Sequence, residues 1–131
     1  MKSKITLPRL SCGFPSPADD YLEVKLSLDE HLVSRPTSTF FARAEGKSME
    51  PLILNGDLLV IDRAQSVKNG DIILAIVDGE FSIKRFLQSS GTIHLLPENH
   101  RFAPIEIKDE GRFEVWGVVM HIIHSPSGAV K

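Results

Sequence analysis

Several things on which function often rests are scarce in this chain. A single cysteine, Cys12, stands among 131 residues. That excludes an internal disulfide and any multi-cysteine metal site, and it makes a reducing cytoplasm the simplest expected home. No apolar run approaches the roughly 18 residues of a membrane-spanning helix. The basic start, with Lys2, Lys4 and Arg9, lacks the apolar core of a signal peptide, because Pro8 and Arg9 interrupt it. Neither sign of charge is in excess. The net charge of -2 gives no global reason to expect direct binding to nucleic acid or to a membrane.

Phosphate and metal chemistry are equally poorly provided for. There is no glycine-rich phosphate loop. The five histidines, His31, His94, His100, His121 and His124, form no His-x-x-x-His pair. His121 and His124 are three apart in a strand pattern and so face opposite ways. No metal and no cofactor is expected. Asp57, Asp71 and Asp78 sit at strand ends, where turn chemistry accounts for them.

What is present describes one ordinary globular domain with a distinct beginning. Apolar residues make up 42% and charged residues 24% of the chain, and 131 residues can bury a core without metal or disulfide staples. The first 18 residues hold three of the eight prolines and no carboxylate, and they show neither helical nor strand periodicity. The expected organisation is an extended arm over residues 1–20 and a β domain over 21–131.

Strand signals then succeed one another. Leu22, Val24, Leu26 and Leu28 alternate with polar residues, which predicts a half-buried strand. Asp29 is placed to cap a short turn that Pro36 ends. Thr39–Ala44 is β-rich and stops before Gly46. Ser48–Leu54 reads as one or two turns of helix, with Ser48 as N-cap and Pro51 in the first turn. Leu58–Ile61 and Ile72–Val77 are continuous apolar runs, hence buried strands. Turns fall at Asn55-Gly56-Asp57, Lys68–Asp71 and Ser89-Ser90-Gly91. Asp78-Gly79 is the two-residue sequence favoured in tight hairpins, leading into a strand over Glu80–Leu87. Thr92–Leu96, Ile105–Ile107 and Phe113–Ile123 complete the set. Strict alternation in the last puts Phe113, Val115, Gly117, Val119, His121 and Ile123 on one face. Short strands with regular turn signals predict a mainly β fold.

Two residues offer chemistry. Ser48 lies just after a glycine at a predicted helix start, where free N–H groups can stabilise an oxyanion. Lys84 lies in an otherwise apolar strand, with Ser82 and Phe86 on its face. A serine hydroxyl is a weak nucleophile until a base takes its proton, and a neutral lysine is a known base for it. For that role the lysine must fall well below its ordinary pKa of about 10.4, which burial without a carboxylate partner achieves. Taken singly, a serine N-cap and a solvent-facing strand lysine are also common structure.

Four segments together carry a resemblance: Cys12-Gly13-Phe14-Pro15-Ser16-Pro17-Ala18, Gly46-Lys47-Ser48-Met49, Val77–Lys84 and Gly117-Val118-Val119-Met120-His121. From about Ser11 to Ile123 the chain resembles the LexA-type self-cleaving serine/lysine peptidases, in their SOS mutagenesis branch. The resemblance implies a small fold of twisted antiparallel sheets with an extended N-terminal arm. It implies Ser48 as nucleophile, Lys84 as general base, Cys12–Gly13 as the bond cut, and the backbone N–H groups of Ser48 and Met49 as oxyanion donors. It also implies a homodimer, a RecA–single-stranded-DNA filament as co-protease, and a UmuC-like subunit of a Y-family polymerase as the partner of the trimmed form. Two positions depart from the family pattern: Lys47 stands where aspartate is frequent, and Asn55-Gly56-Asp57 where Asp-Gly-Asp is usual. The length leaves no room for the DNA-binding domain that LexA carries, which argues against a repressor. Two other readings compete: a non-catalytic dimeric interaction module of the same fold, and a signal-peptidase-like enzyme acting on other proteins. The missing membrane anchor and the built-in Cys-Gly site weigh against the second.

About ten residues separate the Cys12–Gly13 bond from the first expected strand, a reach of roughly 33 Å when extended. Gly13 has no side chain to obstruct attack on the preceding carbonyl. Cleavage within one copy and between copies are both within reach.

Overall fold

A computed structural model describes residues 7, 9, 10, 12, 13 and 27–127. The chain divides into two compact units, Met1–Ser34 and Arg35–Lys131. In the first, the expected strand over Leu22–Leu28 falls mostly outside the described residues. Its last member, Leu28, instead opens a short helix, α1 (Leu28–Leu32). Ser27 occupies the N-cap position with extended backbone, and Asp29 and Glu30 lie in the first turn. There their charges complement the exposed N–H groups, so Asp29 is a first-turn residue rather than the cap. None of the residues of α1 is buried.

The second unit is one antiparallel sheet of seven strands: β1 (Thr39–Arg43), β2 (Leu58–Asp62), β3 (Ile72–Val77), β4 (Glu80–Ser89), β5 (Thr92–Leu96), β6 (Ile105–Ile107) and β7 (Phe113–Ile123). Their order across the sheet is β1-β2-β7-β3-β4-β5-β6. Local chemistry makes the hairpins. Asp78 and Gly79 both have positive φ, 51° and 82°, the geometry of a type I′ turn whose twist matches the strands it joins. Ser90 and Gly91 repeat it, at 51° and 79°, between β4 and β5. β4 runs two residues past the expected end, to Ser89, because its outer part still pairs with β5.

Burial decides the rest of the topology. The last strand enters the middle of the sheet, between β2 and β3. β3 is covered on both faces, which is why it reads as an unbroken apolar run. Ile73 and Ala75 belong to one core cluster, with Phe86, Ile93, Leu95, Ile107 and Val118. Ile72 belongs to the other, with Ala44, Met49, Ile53, Leu59 and Ile61. Burying a side chain such as Ile73 or Leu59 contributes about 1.5–3 kcal/mol relative to leaving it in water.

Two expectations fail here for physical reasons. Strict alternation along β7 is broken by bulges. Leu74 pairs with Gly117 and Ala75 with Val115, leaving Trp116 as the extra residue. A second bulge against β2 leaves Met120 extra. Each bulge shifts the two-residue period by one. Val118 therefore joins Val115 and Phe113, while Val119 joins Trp116 and Ile122. Gly117 sits at the first bulge because nothing larger fits: a Cβ there would lie 2.6 Å from Ile61 Cγ2.

The other failure is the helix over Ser48–Leu54. The segment is a series of turns, with Glu50 N–H donating to Lys47 O (3.1 Å) and Ile53 N–H to Met49 O (2.9 Å). Pro51 has no N–H to continue such a ladder, and the Glu50–Pro51 peptide is cis.

Candidate active site

The 14 residues that link β1 to β2, from Ala44 to Asp57, hold Ser48 by both ends. Ala44 N–H donates to Asp57 O, and Gly56 N–H to Ala44 O, each at 2.8 Å, so pairing persists beyond the strands. Gly46, with φ 94°, makes the turn, and its N–H is held by Asn55 Oδ1 at 2.9 Å. Met49 and Ile53 are buried in the core and anchor the turns on the C-terminal side of Ser48. Asp57, also buried, accepts Leu54 N–H at 2.8 Å and meets His124 Nδ1 at 2.7 Å. Ser48 is left half-buried.

Lys84 reaches Ser48 from β4. The Asp78-Gly79 turn sets a register in which Lys84 lies opposite Ile73 and Ser82 opposite Ala75. The lysine Nζ is 3.1 Å from Ser48 Oγ, 3.0 Å from Ser82 Oγ and 3.0 Å from Ile83 O. It makes no ion pair among the described residues. Burial pushes its pKa below the ordinary lysine value, since a charged ammonium loses solvation there. A neutral amine has two N–H donors and one lone pair. With the donors directed at Ser82 Oγ and Ile83 O, the lone pair is left for the Ser48 hydroxyl proton.

Both side chains line a cleft of about 550 Å³. Its walls are largely apolar, with Leu59, Ile61, Leu74, Ile83 and Trp116 among the lining residues. Trp116 packs edge-on against Phe40 and Phe81, with ring centroids 5.2 and 6.2 Å away. Arg63 covers it, its guanidinium 4.2 Å from the ring centroid. Phe40, Phe41 and Phe81 are exposed.

The model of the peptidase S24-like family matches residues 4–120. The chain belongs to that family. Among curated relatives, it is 44% identical over 121 residues to "Protein ImpA" of Salmonella typhimurium, covering 88% of this chain and 79% of that protein. It is 42% identical over 117 residues to "Protein MucA" of Escherichia coli, covering 88% and 80%. It is also 33% identical over 119 residues to "LexA repressor" of Pectobacterium carotovorum subsp. carotovorum, covering 89% of this chain and 58% of that protein.

In this S24-like chain the structure brings together Ser48 and Lys84 of the residues singled out from the sequence. Cys12 and Gly13 belong to the other unit. Cys12 is a free, exposed thiol. The N–H groups of Ser48 and Met49, the candidate oxyanion donors, have no acceptor among the described residues. No group of three or more potential metal ligands occurs among the described residues, and no helix described is long and apolar enough to cross a membrane.

Sequence reasoning missed two residues. Ser82 touches Lys84 Nζ, and alternation had already put it on the lysine's face, but without assigning it a task. Asn99 lies in the loop after β5. Its N–H donates to Ser48 O and its Nδ2 to Lys47 O, each at 3.0 Å. Nothing in the loop's sequence marks that contact.

Proposed function

We propose that this S24-like chain is a UmuD-like SOS mutagenesis protein that cuts its own Cys12–Gly13 bond, with Ser48 as nucleophile and Lys84 as general base. The single observation that supports it most is the 3.1 Å approach of Lys84 Nζ to Ser48 Oγ, made by a lysine that burial drives toward its neutral form.

The chemistry uses only the groups present. Lys84 Nζ takes the Ser48 hydroxyl proton as Oγ bonds to the Cys12 carbonyl carbon. The carbonyl oxygen becomes an oxyanion and receives hydrogen bonds from the backbone N–H groups of Ser48 and Met49. On collapse the Cys12–Gly13 C–N bond breaks, and the Lys84 ammonium returns its proton to the Gly13 nitrogen. An ester on Ser48 remains. Water, losing a proton to Lys84, attacks that ester; on collapse the Lys84 ammonium returns the proton to Ser48 Oγ, and the new Cys12 carboxyl group gives its own proton to solvent.

The biological setting rests on the same reading. The arm over residues 1–20 is the substrate, and the β domain is the enzyme. A RecA–single-stranded-DNA filament acts as co-protease in the cytoplasm. The trimmed homodimer joins a UmuC-like Y-family polymerase subunit for translesion synthesis and needs no nucleic-acid surface of its own.

The test uses the purified chain at mildly alkaline pH, with intact-mass spectrometry of the products. A product lacking residues 1–12 is expected, and Ser48→Ala should abolish it. A native chain that stays intact, alone and with the filament, would favour a non-catalytic interaction module. Cleavage at Cys12–Gly13 that survives Ser48→Ala would remove Ser48 from the mechanism.

A further inference from the structure

Two consecutive carbonyls of the serine loop meet the same residue, Asn99, and the first of them also accepts Glu50 N–H at 3.1 Å. Lys47 O accepts from Asn99 Nδ2 and Ser48 O accepts from Asn99 N–H, each at 3.0 Å. In a trans peptide the C=O and the next residue's N–H point in opposite directions. Holding Lys47 O therefore fixes the direction of Ser48 N–H, and holding Ser48 O fixes that of Met49 N–H. Both carbonyls face Asn99, so both N–H groups face away from it. Asn99 itself does not line the cleft, whereas Ser48 and Met49 do.

Asn99 is in turn held still. Its Oδ1 accepts Arg101 N–H at 3.0 Å, and its carbonyl accepts Phe102 N–H at 3.1 Å. The preceding residue, Glu98, pairs with Arg85 at 2.6 Å, and Arg85 is the neighbour of Lys84. Two adjacent residues thus tie the loop carrying the serine to the strand carrying the lysine: Asn99 holds the loop and Glu98 holds Arg85.

We propose that Asn99 is a positioning residue: gripping the two carbonyls from behind, it turns the N–H groups of Ser48 and Met49 into the cleft as the oxyanion's donors. The proposal rests on the self-cleavage reading above. It is a role separate from the proton transfer, since Asn99 contacts neither Ser48 Oγ nor Lys84 Nζ among the described hydrogen bonds.

The test compares Asn99→Asp and Asn99→Ala with the native chain. Asn99→Asp keeps the backbone donor to Ser48 O and an acceptor for Arg101 N–H, but it sets an oxygen against Lys47 O. Removing a single oxyanion donor costs about 10²–10³-fold; misdirecting one should slow self-cleavage by about 10- to 100-fold. In Asn99→Ala, which adds no charge beside the pair, the midpoint of the pH–rate profile should stay where it is, because Lys84 keeps its surroundings. A peptide boronic acid matching residues 9–12, which forms a tetrahedral anion on Ser48, should lose affinity by a similar factor. Thermal melting with circular dichroism refers each rate to folded protein. Native rates and native boronate affinity in both variants would overturn the proposal while leaving Ser48-dependent cleavage intact. A displaced pH midpoint in Asn99→Ala would also overturn it, by showing that Asn99 acts through Lys84. Loss of Ser48 dependence in the native chain would instead sink the reading beneath it.

Discussion

Lys84 Nζ and Ser48 Oγ stand 3.1 Å apart across 36 residues of chain, and no carboxylate among the described residues shares the lysine. A carboxylate there would hold the ammonium charged. Its absence, with half-burial, does the reverse and lowers the pKa. The same contact accounts for several measurable properties.

Self-cleavage should rise with pH along a single ionisation whose midpoint lies below the ordinary lysine pKa of 10.5, because burial lowers the value for Lys84. Only the fraction with a free lone pair can take the serine proton. Lys84→Arg should be inactive at every pH up to about 10, since a guanidinium stays protonated. Measurable cleavage by Lys84→Arg would remove the lysine from the mechanism.

A half-buried lysine costs stability. With its folded pKa below its unfolded pKa, the unfolded chain binds more protons between the two values, so stability rises with pH in that window. Below that window the full cost of half-burying an ammonium is present. Lys84→Met, which keeps the stem and drops the charge, should melt no lower than the native chain at pH 7 and should not cleave. A clearly lower melting temperature would show that Lys84 stabilises the fold.

Ser82 orients the amine. Its Oγ lies 3.0 Å from Lys84 Nζ and occupies one of the two donors that a neutral lysine holds. Losing such a bond is worth about 1 kcal/mol, so Ser82→Ala should slow cleavage by roughly fivefold to tenfold. Ser82→Thr, which keeps the hydroxyl, should restore most of the rate. Equal rates for Ser82→Ala and the native chain would make the contact incidental.

Asp62 sets the acid limit of the fold. Burial raises its carboxyl pKa, but the Ser38 hydroxyl, the Ala64 N–H and the Arg35 guanidinium together outweigh burial and hold it below 3.8. A depressed carboxyl contributes stability that is present above the unfolded pKa and lost as pH falls through the folded one. The native chain should therefore lose this contribution only below about pH 4. Ser38→Ala, which removes the 2.7 Å bond to Asp62 Oδ1, should cost about 1.5–3 kcal/mol at pH 7. It should also move the acid unfolding midpoint upward. Urea titrations at pH 3 to 7 would show a constant difference if Asp62 were not involved.

The family pattern, the hairpin turns and the buried strands were all legible in one dimension. Asp78-Gly79 and Ser90-Gly91 adopt paired positive φ values because their own side chains permit it. The apolar runs at Leu58–Ile61 and Ile72–Val77 became strands covered on both faces for the same short-range reason. The helix expected at Ser48 was not legible as turns, because a serine before a proline fits a helix N-terminus and a tight turn alike. The faces of Phe113–Ile123 were misassigned between Trp116 and Met120, where Val118 and Val119 exchange sides, because a bulge is a response to the partner strand and leaves alternation in the sequence intact.

By itself, then, the sequence determined a mainly β domain, its hairpins, and a short set of candidate residues, because turn propensity and two-residue periodicity act over a few positions. Tertiary structure alone decided that Ser48 meets Lys84, that Ser82 and Asn99 support them, and that the lysine is buried without a carboxylate. Each of those contacts except the one between Ser82 and Lys84 crosses 36 or more residues. Such contacts are set by strand order and register, which answer to burial across the whole sheet.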